Sequence, residues 1–336
     1  MSNQVTIPSA KQRAQFNQLA QGYMHTQLVF LSARLELPEL LQHGPMSLAE
    51  LATKTETHQG TLLRFLRAMA TIDILEILDN GDYQAGPMLA FVHDIMAPCF
   101  DETAYQSWDK AMLTLKTGEA AWDQVFGSPF YHYLDDNPEQ SAAFDRWNAN
   151  SAKWLDPMIK LYDFGQFEHL MDIGGGHGGF LSNVLNHYRQ LQGTVFDRQS
   201  VLSHSEKALQ DLPVAKRIKT HGGNFFEQVP DTADGYCLSR VLLNWNDDQV
   251  IEILSNCRKA MSTNDKLLIL DFYIPEADDP VYPYMVFNDL NLLVNTGGGS
   301  RSIECWHQLI ESAGFNINQF LTEPPSPLFL IEAQPA

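Results

Sequence analysis

The sequence predicts an α/β fold whose sheet begins halfway along the chain, after a mostly helical domain. Three observations predict it. From residue 166 onward, five short apolar runs, HLMDIGG, GTVFD, RIKTHGG, GYCLSRVLL and KLLILDFY, alternate with helix-like segments, the pattern of a parallel sheet covered on both faces. Two final runs, FNINQFLTE and LFLIEAQ, are separated by PPSP and read as an antiparallel pair added to that sheet. Before residue 166 the apolar residues recur at helical spacing instead.

The elements follow in order. Residues 18–35 mix Leu, Met, Val and Phe at helical spacing; Pro38 is expected to end that helix, with another short turn over 39–41. Ser47 with Glu50 three residues on forms a capping-box pattern. Thr57 precedes a further helix, and ILEILDNGDYQAG reads as a hairpin turning at Asn80-Gly81. Helix, turn, helix, hairpin is a winged-helix pattern, used either to read DNA or to pack and dimerise. Residues 1–100 hold six Lys/Arg against nine Asp/Glu, the reverse of a DNA reader's balance, which favours packing or dimerisation. Residues 105–162 are again helical and rich in aromatics. The expected division is a winged-helix domain over 1–110, a helical linker over 111–164 that contributes to a pocket, and the α/β domain over 165–336.

With 44% hydrophobic residues in 336, the chain can bury a substantial core. Its formal charge of −19 repels phosphate backbones and anionic membranes, so neither is an expected partner. The N-terminus lacks a basic-then-apolar signal pattern, and no run approaches the length of a spanning helix. Cys99, Cys237, Cys257 and Cys305 are widely spaced without a CxxC, which fits reduced thiols in a cytosol rather than a disulfide frame or a metal site.

The stretch from Asp172 to Gly179, DIGGGHGG, follows the first strand of the α/β domain and opens a helix. Glycines there let the backbone turn tightly and approach a ligand, while the helix N-terminus offers N–H groups. Asp197 ends the second strand, where a carboxylate can accept both hydroxyls of a ribose. Gly174, Gly176 and Gly179 fit a dinucleotide's GxGxxG; Gly174, Gly176 and Gly178 fit the GxGxG of methyl-donor sites. Asp172 favours the second pattern, because it would repel a diphosphate but not the cationic end of S-adenosyl-L-methionine. The alternative reading is a purely structural glycine-rich turn, with Asp197 as a cap on the next helix.

Six motifs in order, LMDIGGGHGGFL, GTVFDRQSVL, HGGNFFEQVPDTADGYCLSRVLLNW, ILSNCRKAM, KLLILDFYIPE and DLNLLVNTGGGSRSIECWHQLIESAGF, resemble those of the S-adenosylmethionine-dependent small-molecule O-methyltransferases. The resemblance spans nearly the whole chain, including the winged-helix part and LKTGEAAWDQVFGSPFYHYL. It implies a class I methyltransferase Rossmann-like sheet of seven strands with an N-terminal dimerisation domain, a homodimer, and S-adenosyl-L-methionine as cofactor. It implies further that Asp172, Gly174, Gly176 and Asp197 hold the methionine and ribose parts. Asn224 and Phe225 would flank the adenine, Ser239 would lie near the donor's carboxylate, and Trp245 would stack on the adenine. An aromatic acceptor would lie among Phe144, Trp147, Asn148, Met285, Asn288, Leu292 and Asn295.

In plant-type members the strand-end motif reads like LHDW, and its His takes the acceptor's proton. Here Leu243 occupies that position, and Asp271 and Ser300 stand where two flanking Glu are found. The LLNW form resembles the branch that modifies aromatic polyketides such as anthracyclines, which includes relatives that keep the donor but perform other reactions, such as hydroxylation. Asp271 and Asp289 are the remaining candidates for orienting a substrate or proton; His132, His204, His221 and His307 read as surface or packing residues. Asn246 or Asp247 is expected to cap the helix after LLNW. The expected reaction is methyl transfer to an aromatic hydroxyl by orientation. N-transfer, a reaction without methyl transfer, and a winged-helix regulator are its alternatives.

Overall fold

The computed structural model describes residues 9–95 and 101–336; Cys99 and the first eight residues lie outside them. The chain divides into two compact units, Met1–Glu102 and Thr103–Ala336, so the helical segment 111–164 lies in the same unit as the sheet.

In the first unit the expected helix over 18–35 is interrupted. One helix runs Ala10–Ala20 and the next Gly22–Arg34, with Gln21 between them at φ −97°, ψ 2°. Pro38 does not end a helix either. It stands in the first turn of Leu37–Leu41, where a missing N–H costs nothing because no carbonyl precedes it in the ladder. Ser47 and Glu50 make the full capping box over Leu48–Lys54, and His58 caps Gln59–Ala70. Strands β1 (Leu75–Ile77) and β2 (Tyr83–Ala85) pair antiparallel across a turn in which Gly81 has φ +86°. Phe30, Leu37, Leu51, Leu66 and Met69 are buried within this unit.

The second unit carries a seven-stranded sheet. It is built of β3 (His169–Ile173), β4 (Gln192–Asp197), β5 (Ile218–Gly222), β6 (Gly235–Ser239), β7 (Lys266–Phe272), β8 (Phe315–Thr322) and β9 (Leu328–Pro335). The order is β5-β4-β3-β6-β7-β9-β8; the first five are parallel, and β9 and β8 close the sheet antiparallel, as the sequence predicted. Successive residues of a strand point to opposite faces. Met171, Ile173, Tyr236, Leu238, Leu267 and Ile269 therefore enter one core with Trp306, while Leu170, Cys237, Leu268 and Leu270 enter the other with Leu181. Burial of each such side chain stabilises the fold by roughly 1.5–3 kcal/mol. Cys237, Cys257 and Cys305 are free thiols.

The strand order also places the site. β4 and β5 lie on one side of β3, β6 and β7 on the other, so the chain reverses direction across the sheet between β3 and β6. In open α/β sheets the crevice beyond the carboxyl ends at that point receives the ligand. Among the described residues no helix is long and apolar enough to cross a membrane.

Candidate active site

The glycine loop leaves β3 with Gly174, Gly176 and Gly178 at φ +72°, +53° and +70°. A Cβ on Gly174 would stand 2.8 Å from Val241 Cγ2, and one on Gly175 would stand 2.6 Å from Asp172 Oδ2. At Gly176 a Cβ would meet nothing within 4 Å. The loop is thus packed tightly beneath and open above, which is the shape of a cradle. Asp197 Oδ2 accepts the Gly176 N–H at 2.8 Å and Oδ1 accepts the Arg198 N–H at 2.7 Å. Asp197 is not the cap of the following helix: Arg198 holds that position without a side-chain hydrogen bond.

At the carboxyl ends of β3 and β6 three buried polar groups gather without protein partners: both oxygens of Asp172, Ser239 Oγ and Arg240 Nε. Burial, and after it the charge of Asp197, push Asp172 up to about 8, against the pull of Arg240. Burial likewise lowers the Arg240 pKa, which Asp271 and Asp172 oppose. Arg240 has φ +55°, a region costing a non-glycine residue about 1–3 kcal/mol. Its N–H donates to Leu270 O at 2.7 Å and Nη1 to Ser151 Oγ at 2.6 Å, which hold it there. Buried polar groups are nearly always satisfied, so a carboxyl, an arginine Nε and a hydroxyl left unpaired at these strand ends fit a ligand that carries both charges. An amino-acid zwitterion would be such a ligand, with its ammonium toward Asp172 and its carboxylate toward Ser239 and Arg240. These residues fit the methionine end of S-adenosylmethionine.

An aromatic box stands beside them. Trp245 lies 5.6 Å from Tyr131 at 27°, and Phe225 and Phe226 meet it edge-on at 5.9 and 4.8 Å. Asn224, by contrast, is exposed and occupied with its own turn, its Oδ1 accepting the Phe226 N–H and its Nδ2 donating to Glu227. On the acceptor side, Phe144 and Trp147 lie 6.2 Å apart at 24° on the helix Pro138–Ser151, which also carries Asn148. Met285, Asn288, Leu292 and Asn295 share one face of the helix Tyr282–Thr296, with Met285 and Asn295 buried. That helix packs on Ala121–Phe126, whose Trp122 leads through Phe130 (4.8 Å) to Phe144 (5.3 Å). Asn295 Oδ1 and Ser300 Oγ are buried without partners.

Where relatives carry a base, Leu243 is buried, its N–H donating to Asp271 Oδ2 at 3.1 Å. Asp271 also accepts the Phe272 N–H at 2.8 Å and is fully buried, pushed up to about 7 mainly by burial. Asp289 accepts the Ser300 N–H at 2.7 Å, and burial raises it too. Each carboxylate therefore ties down a loop. His132, His204 and His221 are exposed. Sequence reasoning missed Arg301, which holds the strand-end loop through Asp247 and the carbonyls of Gly299 and Trp245 (2.7, 3.0 and 2.6 Å). It also missed Tyr131, Arg198 and Arg240, whose only sequence signal is that both arginines directly follow predicted donor residues. A cleft of about 640 Å³ lined by Gln199, Leu202, Leu209 and Ile218 lies toward β5, and none of the donor residues lines it.

Residues 107–316 match the O-methyltransferase domain family, and residues 17–88 match the O-methyltransferase dimerisation domain. The chain belongs to the O-methyltransferase family. The phenazine O-methyltransferase of Lysobacter antibioticus is 33% identical, the match covering 95% of each chain. The mitomycin biosynthesis 6-O-methyltransferase of Streptomyces lavendulae is 30% identical over 99% of this chain and 98% of its own. Among solved structures, a mitomycin 7-O-methyltransferase superposes with a TM-score of 0.88 at 30% identity, over 97% of this chain and 98% of its own. This O-methyltransferase is S-adenosylmethionine-dependent and of the secondary-metabolite type.

Proposed function

We propose that this O-methyltransferase methylates a hydroxyl on a fused or substituted aromatic small molecule by orientation, without a histidine base. The observation that carries this reading is Leu243. It stands, buried, at the strand end, with its N–H fixed by Asp271, while the stacked Phe144 and Trp147 offer a flat apolar wall. When bound, S-adenosylmethionine supplies a methyl already activated on a sulfonium. The chain's own residues then orient the two reactants and exclude water. Positioning can supply roughly 7–11 kcal/mol of a barrier. A general base typically adds about 10²–10⁴-fold, or about 3–5 kcal/mol. An ordinary phenol, with a pKa near roughly 10, is the hard case; one acidified by a neighbouring carbonyl or ring nitrogen ionises without help. Asp172, Ser239 and Arg240 would hold the donor's amino-acid end, Asp197 its ribose, and Trp245 with Phe225 its adenine.

The test is mass spectrometry with isotope-labelled donor and a panel of phenolic and heteroaromatic acceptors, phenazines and quinones included. A product heavier by one labelled methyl on oxygen is expected. Methyl on nitrogen, or a product with another mass change, would replace this reading with N-transfer or with a reaction that only uses the donor's charge. Leu243→His gives a second check. The variant is expected to transfer no faster than the wild type on any acceptor; a rise of tenfold or more would show that proton removal limits the reaction.

A further inference from the structure

The residues that directly follow Gly176, Asp197 and Ser239 all reach in one direction. His177 Nε2 lies 3.3 Å from Asp145 Oδ2, while its Nδ1 meets Ser205 Oγ at 2.8 Å. Arg198 pairs through Nη1 with the Asp135 carboxylate and donates to Tyr131 O at 3.0 Å, its guanidinium 5.7 Å from the Tyr131 ring centroid. Arg240 donates to Ser151 Oγ and, at 3.5 Å, toward Asn148 O. The three start from the carboxyl ends of β3, β4 and β6, and apart from Ser205 these side-chain partners lie on the two helices Phe130–Asp136 and Pro138–Ser151. Those helices carry Phe144, Trp147 and Asn148, the candidate acceptor wall. The second of them is 14 residues long and fully buries only Ser151, so these polar links and the ring contacts of Phe144 and Trp147, rather than a deep core, hold it down. Segments with few buried apolar contacts lie at the low-stability end of a fold.

We infer that His177, Arg198 and Arg240 are positioning residues that couple occupancy of the donor site to the ordering of residues 130–151, so that donor binding assembles the acceptor wall. A ligand that seats against the glycine loop at Gly176, on Asp197 and on Ser239 fixes the backbone from which all three side chains spring. Their ends are then fixed too, and the two helices lose freedom with them. Coupling of this kind is reciprocal: an acceptor that needs the ordered wall tightens the donor by the same factor. The inference rests on the donor and acceptor assignment made above.

Hydrogen exchange followed by mass spectrometry, with S-adenosylhomocysteine as the probe, tests it without knowledge of the acceptor. In the wild type, saturating probe is expected to slow exchange across 130–151 about tenfold, within the usual range of coupling between sites. In a His177→Gln, Arg198→Met double variant the probe still binds by calorimetry and protects the glycine loop, but the gain across 130–145 is lost, while 148–151, still linked through Arg240, keep theirs. Arg198→Lys alone keeps part of it, because one cation can still meet Asp135. Asp135→Ala cuts that link from the helix side, together with the 2.8 Å hydrogen bond from Ser200 Oγ, leaving the donor residues intact, and is expected to lose protection across 130–136. Binding without protection of 130–151 in the wild type, or full protection in Asp135→Ala, overturns the coupling and leaves the donor assignment standing. No binding of the probe to the wild type removes the donor assignment and the coupling together.

Discussion

Asp172 is a carboxylate with no hydrogen bond, set beside a second buried carboxylate and an arginine whose Nε is unused. Its pKa, pushed from an ordinary 3.8 up to about 8, makes the free protein pH-sensitive. A group with a raised folded pKa contributes stability that is full below the unfolded value and is lost as pH rises through the folded one. The melting temperature of the free protein should therefore fall between about pH 4 and 8. A cationic donor restores the loss by pairing with the ionised form, so the rise in melting temperature caused by S-adenosylmethionine should be larger at pH 8 than at pH 6. In Asp172→Asn that pH dependence of the donor effect is expected to vanish; its persistence would exclude Asp172 as the group responsible. Asp197→Asn retains an acceptor for the Gly176 N–H but loses the charge offered to a ribose. Charged hydrogen bonds contribute about 1.5–3 kcal/mol, so calorimetry with S-adenosylhomocysteine should show affinity reduced by roughly 10–100-fold. Unchanged affinity would take Asp197 out of the donor site.

Elements bring these groups together through backbone geometry that few side chains tolerate. Gly174 combines φ +72° with a hypothetical Cβ 2.8 Å from Val241 Cγ2, so Gly174→Ala meets both strain and a clash. A loss of about 1–3 kcal/mol in denaturant unfolding is expected, with weakened S-adenosylhomocysteine binding because the loop must shift. A variant as stable and as tight-binding as the wild type would show that the loop has slack the packing denies. The strand-end stretch after β6 is held as firmly. Asn246 caps the helix Asp247–Ala260 with a full box closed by Gln249, and Arg301 donates to the carbonyls of Leu242 and Trp245 before it. Asp271 and Asp289, which the sequence offered as proton handlers, each accept main-chain N–H groups in this region.

At the scale of the molecule, the balance of −19 sits beside several exposed large apolar side chains. The helix Ala10–Ala20 buries none of its residues and exposes Phe16 and Leu19 at 68% and 74%. In the other unit Leu115 and Phe287 are similarly open, at 79% and 69%. With residues 17–88 matching a dimerisation domain, a homodimer is the arrangement that would cover such surfaces. Light scattering after size exclusion is expected to give twice the chain mass, and a Phe16→Glu, Leu19→Glu variant to dissociate on dilution where the wild type does not. A monomeric wild type at micromolar concentration would rule the arrangement out.

Much of this was legible in the residues. The capping boxes at Ser47 and Asn246, the Asn80-Gly81 hairpin, the alternating apolar runs and the glycine loop all depend on neighbours within a few positions, which is the range over which sequence dictates geometry. Parallel strands covered on both faces read as continuous apolar runs, so the sheet could be counted before it was seen. The break at Gln21 and the place of Pro38 in the first turn of a new helix were not legible from helical spacing alone. Nor were the long-range partners of Asp271, Asp289, His177, Arg198 and Arg240, which lie between 11 and 92 positions away along the chain. The sequence by itself determined the fold, the family motifs and the loss of the histidine at Leu243, because each is a matter of local pattern. Only the tertiary structure decided which buried charges remain unpaired and which are spent on the backbone, since desolvation and pairing depend on groups that meet only when the strands have closed.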